Sequence, residues 1–119
     1  MTNIMAQFPG GITIKMIEGN DFTFRVNWGF DITGYTFTGK IIPSNGLSEI
    51  TMTVTPIDLA LGLIDIKIAS TDVIALPKST NQGWYLDWVL PISGNKRTVL
   101  GGILVIYPKN VILKQIVEV

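Results

Sequence analysis

The chain has 119 residues, no cysteine and no histidine, and its nine Lys and Arg balance nine Asp and Glu. That length supports one domain with a core of its own. The missing residue types exclude a disulfide scaffold, thiolate zinc and iron–sulfur sites, and catalysis by a Ser–His–Asp or Cys–His group.

Zero net charge lacks the positive field on which nucleic-acid binding draws. Apolar residues make up 47% of the chain and charged ones 15%, a balance that predicts a unit partly covered by neighbours in an assembly.

Residues 1–11, with Met5 and Phe8 ahead of Pro9-Gly10-Gly11, read as an extended arm. The arm lacks the basic start and apolar stretch of a signal peptide. Ile12, Ile14 and Met16 then alternate with polar residues, as do Phe22, Phe24, Val26 and Trp28 after the turn signal Glu18-Gly19-Asn20-Asp21. Asp31-Ile32-Thr33-Gly34 precedes Tyr35, Phe37 and Ile41, and Pro43-Ser44-Asn45-Gly46 precedes Ile50, Met52 and Val54. Ile64, Ile66 and Ile68 follow. A period of two in Ile, Val, Thr and aromatic residues predicts strands with one face on a core.

Ser70-Thr71-Asp72 followed by Pro77 predicts a helical turn over 70–76, with Val73, Ile74 and Leu76 plugging an open end. Trp84, Leu86, Trp88 and Leu90 share one parity, and Ser93-Gly94-Asn95-Lys96 reads as a hairpin loop. The run from Val99 to Tyr107 is nine residues, short of the ~20 that span a membrane as a helix. Within it Gly101-Gly102 predicts a bulge or a close backbone approach. Residues 109–119 are apolar and β-prone, either a last strand or a strand added to a neighbouring subunit. The whole predicts an all-β, antiparallel β-sandwich of seven or eight strands over residues 12–108, between the arm and this tail.

Little in the sequence carries site chemistry. The acids are scattered, and no calcium ladder or phosphate-cradling glycine loop is present. No catalytic, cofactor-binding or metal-ligating residue is assigned. Asp87, among Trp84, Tyr85 and Trp88, suggests a sugar site, but its parity turns it from the Trp84 and Trp88 side and predicts a solvent-facing residue. Phe22, Phe24, Trp28, Phe37, Trp84 and Trp88 are expected in the core. Met5 and Phe8 of the arm and Val111, Ile112, Leu113, Ile116 and Val117 of the tail are the candidate interface.

Read in order, Gly19-Asn20-Asp21-Phe22, Asp31-Ile32-Thr33-Gly34-Tyr35, Leu76-Pro77, Gly83-Trp84-Tyr85-Leu86-Asp87 and Val99-Leu100-Gly101-Gly102-Ile103-Leu104-Val105 resemble small immunoglobulin-like β-sandwich virion proteins of tailed bacteriophages. The series is also similar to the N-terminal domain of phage baseplate upper proteins. Ile32 stands where that group usually has Leu, and Trp84 makes its segment more aromatic than usual. The resemblance implies a non-enzymatic virion component, built in many copies in the tail, baseplate or fibre-attachment region and assembled in the host cytoplasm. Its partners would be other virion proteins and copies of itself, with no nucleic acid and no membrane. Two alternatives stand beside it: a capsid decoration protein, and a carbohydrate-binding module centred on Tyr85 and Asp87.

Overall fold

Residues 10–109 are described by the computed structural model. The alternating runs form β1 (Gly10–Ile17), β2 (Phe22–Asn27), β3 (Thr36–Ile42), β4 (Ile50–Asp58), β5 (Leu63–Ile68), β6 (Gln82–Val89) and β7 (Lys96–Tyr107). β1 begins at Gly10, so Gly10 and Gly11, expected in the arm, belong to a strand.

The strands make one seven-stranded mixed sheet in the order β1-β7-β6-β3-β4-β5-β2. The fold is therefore all-β, but not wholly antiparallel as expected, because β1 runs parallel to β7 from Gly10↔Leu100 to Ile17↔Tyr107. Alternation reports which face a residue takes and is blind to the direction of the neighbouring strand.

β1 and β2 stand at opposite edges of this order, yet only residues 18–21 join them. Such a link spans at most roughly 19 Å between Cα atoms. Seven strands laid flat would hold their outer strands about 29 Å apart. The sheet must therefore curl until its edges meet at that turn, and it is nearly a barrel. β4 makes the corner: Ile50–Met52 pair with β3, and Thr53–Asp58 pair with β5.

An open seam remains between β1 and β2. Phe22, Phe24 and Val26 lie beside Ile68, Ile66 and Ile64 of β5. The three isoleucines are fully buried, whereas the three β2 side chains are only half-buried. Neighbouring positions on one face differ because β5 is flanked on both sides and β2 on one.

The core gathers Ile14, Met16, Ile41, Met52, Trp84 and Leu86 with the β5 isoleucines. The helical turn is a 3-10 helix, Ser70–Val73, and its own side chains do not cap it. The Ser70 N–H instead donates to Asp21 Oδ1 at 2.9 Å, which ties the β1–β2 turn to the helix. Val73 and Leu76 plug this end as expected, but Ile74 is 76% exposed.

Candidate functional site

Chain direction sorts the loops into two ends. The β1–β2 turn, residues 43–49 and residues 69–81 share one end with Lys109, here the exit end. Residues 28–35, 59–62 and 90–95 share the other, the hairpin end.

The outer face of β6 carries Tyr85 and Asp87. The Tyr85 hydroxyl donates to Glu49 Oε2 at 3.2 Å. Burial and the Glu49 charge together raise its pKa above the usual phenol value. Asp87 is 7% exposed, not solvent-facing as its parity predicts. The Thr98 hydroxyl donates to its Oδ1 at 2.6 Å, and Lys96 Nζ lies 3.7 Å from Oδ2. β7 brings both partners over the carboxylate, at a register shift where Leu86 pairs with Leu100 but Asp87 with Thr98. A polar outer face cannot report such cover from the sequence of β6 alone. Among the described residues, no His, Cys, Asp and Glu group of three or more is placed to hold a metal ion.

At the hairpin end five rings pack together. Trp88 lies 5.0 Å from both Trp28 and Tyr35 between ring centroids, and 6.0 and 6.3 Å from Phe30 and Phe37. The indole nitrogens of Trp28 and Trp88 are buried with no acceptor among the described residues. Of the six aromatics expected in the core, Trp84 is 2% exposed, while Phe22, Phe24, Trp28, Phe37 and Trp88 are half-buried.

Both ends also expose large aliphatic side chains on their loops. Ile92 is 99% and Leu61 63% exposed at the hairpin end, and Ile74 76% and Leu47 51% at the exit end. The sequence reading put Ile74 in the plug and singled out none of the other three. The signal was an isoleucine inside Pro91-Ile92-Ser93-Gly94, a turn sequence that otherwise carries polar residues.

The exit end holds a pocket of about 280 Å³ bounded by the β1–β2 turn (Glu18, Gly19), the 3-10 helix and following loop (Ser70, Val73, Ile74), Lys78, Ile106 and Lys109. The backbone N–H of Lys109 donates to Glu18 Oε1 at 3.2 Å. The interface candidates Met5, Phe8, Val111, Ile112, Leu113, Ile116 and Val117 lie outside the described residues. Among the comparisons made, no protein family and no curated protein matches this chain.

Proposed function

We propose that the protein is a non-enzymatic structural unit of a tailed-bacteriophage virion, built in many copies in the tail, baseplate or fibre-attachment region. The observation that supports this is the set of aliphatic side chains exposed on the loops of both ends, Ile92 and Leu61 on one and Ile74 and Leu47 on the other. Apolar groups on two opposite ends suit a unit that repeats by contacts along its length. The described chain enters β1 at the hairpin end and leaves β7 at the exit end, so it runs from one of these surfaces to the other. The corner at β4, where one strand serves two partners, is compatible with the sandwich arrangement of the bacteriophage proteins that the motifs resemble. A capsid decoration protein would use the same contacts in a different copy ratio.

Light scattering on the full chain, with co-sedimentation on virus particles, tests this reading. A defined oligomer, or binding in a fixed copy ratio, is expected. Ile74→Lys with Ile92→Lys should return a folded monomer that leaves the particles in the supernatant. A wild-type monomer that ignores particles would overturn the reading. It would turn attention to a carbohydrate-binding module on the outer face, where Tyr85 stands between Glu49 and Asp87. That module would show as glycan-dependent heat on titration, lost in Tyr85→Phe.

A further inference from the structure

The backbone of β2 is only half used by its ladder. The Trp28 N–H donates to the Gly62 carbonyl at 2.8 Å, one step beyond the Asn27↔Leu63 pair. Bonded pairs alternate along an antiparallel ladder, so Phe24 and Val26 also turn their N–H and C=O toward β5. Thr23, Arg25 and Asn27 turn theirs away from it, into the seam. Pro56 agrees with this phase, since it lies opposite Ile64 at a position of the β4–β5 ladder that needs no N–H. Across the seam, the Glu18 N–H donates to the Tyr107 carbonyl at 2.9 Å. The same alternation turns the backbone groups of Thr13 and Lys15 away from β7. Among the described strands, none pairs with either row.

The side chains show where cover is missing. On the inner row of β1, Met16 and Ile14 are each 3% exposed, but Ile12 is 40% exposed. Phe22, Phe24 and Val26 across the seam are half-buried. The seam is thus closed near the β1–β2 turn and opens toward the hairpin end. The turn also limits its width. The Asn20 N–H donates to the Ile17 carbonyl at 3.1 Å, a reversal that holds those two Cα atoms within about 7 Å. Phe22 is two residues further on, so the strand ends lie at most about 14 Å apart. At a spacing of about 4.8 Å that leaves room for one strand between them. A second copy cannot offer its sheet edge here, because the strand behind that edge would meet β1.

The outer rim of the seam sets the charge of what fits. Lys15 is exposed, and among the described residues no carboxylate lies within ion-pair distance of it. The Arg25 side chain remains 53% exposed beside its partner Asp65. Thr13, Thr23 and Asn27 complete the rim without charge. We propose that the seam between β1 and β2 receives one extended segment of a partner protein, alternating apolar and acidic residues and paired with β2 through Thr23, Arg25 and Asn27. Its apolar side chains lie inward on Ile12, Phe24 and Val26, and its carboxylates lie outward beside Lys15 and Arg25. This goes beyond the virion reading and leaves Ile74 and Ile92 as exposed as before.

The test is amide hydrogen exchange, read by NMR on the full-length chain, with a short capped peptide of alternating valine and glutamate as probe. With peptide at about ten times its Kd, the amides of Thr23, Arg25 and Asn27 should slow about tenfold. Those of Phe24 and Val26, already bonded to β5, should change little. A valine–lysine peptide should bind about two- to fivefold more weakly, and Lys15→Glu should remove that preference. Thr23→Pro takes away one seam-facing donor without touching the β5 ladder, and should weaken binding while the fold persists. Unchanged exchange at millimolar peptide would overturn the proposal. Protection already present without peptide would also overturn it: if independent of protein concentration, the edge is covered within the chain, and if it grows with concentration, the edge belongs to a second copy. Equal binding of the two peptides would overturn the acidic assignment. The readout needs no virus particle, so it is separate from the fate of the virion reading.

Discussion

The indole nitrogen of Trp84 donates to the carbonyl oxygen of Ile12 at 3.0 Å, joining strands that are not neighbours. Gly102 of β7 pairs with both residues and lies between them. Its φ of +155° is a glycine conformation, and a Cβ there would run into the Ile12 carbonyl. The edge strand β1 is thus held by its ladder to β7 and by a side chain from the next strand over.

Trp84→Phe should keep the ring packing and lose this bond, lowering stability by about 1–3 kcal/mol. Gly102→Ala should cost more, because strain and a backbone clash add to the lost bond. Urea unfolding checks the order: both midpoints should fall at constant m, with Gly102→Ala lower. Equal midpoints would deny Gly102 its part in seating β1.

Trp28→Phe gives the contrasting case. Its ring packs 5.0 Å from Trp88 and 6.0 Å from Phe37, but its nitrogen finds no acceptor among the described residues. Removing a buried donor without a partner offsets part of the lost ring volume. The expected cost is under about 1.5 kcal/mol, less than for Trp84→Phe despite the same atoms removed, as the same urea series would read.

Asp87→Ala should destabilise by about 1–3 kcal/mol, since a nearly buried carboxylate loses a short bond from Thr98. Lys96→Ala should cost less than about 0.5 kcal/mol, because the Lys96 side chain is 66% exposed. Thermal unfolding of the two variants separates them. Equal losses would show that the ion pair, and not the hydroxyl bond, holds the carboxylate.

Acid should lower the stability of the fold through three aspartates. The Ser70 N–H holds Asp21 below the usual carboxylate range, the Thr33 hydroxyl and N–H do so for Asp31, and the Arg25 guanidinium for Asp65. A carboxyl with a lowered pKa in the folded state takes up protons later than in the unfolded chain. Its contribution is therefore complete above the unfolded value of about 4 and is lost as pH falls through the lower folded value. Melting temperature followed from about pH 6 to about pH 2 should stay level and then drop below about 4. Asp65→Asn should make that drop shallower.

The strands were legible because Ile, Phe and Thr alternate wherever one face is buried, and Gly19, Gly34, Gly46 and Gly94 of the turn signals each take a positive φ between strands. Partner direction was not legible. Ile12, Ile14 and Met16 would alternate alike beside a parallel or an antiparallel neighbour. The bond that ties down the start of the 3-10 helix was not legible, because its acceptor, Asp21, is 49 residues from Ser70. Asp87 was misread because Thr98 and Lys96 cover it from another strand. The pocket and the exposed Ile74 and Ile92 follow from loop placement, which local periodicity does not encode.

The parallel pairing of β1 with β7 fixes how the molecule bears load. The chain enters β1 at the hairpin end and leaves β7 at the exit end, and the two strands lie side by side over Gly10–Ile17 and Leu100–Tyr107. Tension applied to the two ends of the domain pulls these strands along their own axes in opposite directions. The ladder between them is then sheared, and its bonds share the force and must fail together. A hairpin pulled from its open end would instead surrender them one at a time. The first and last of the described strands therefore act as a mechanical clamp, which meets a stretching force along the domain before the rest of the sheet is loaded.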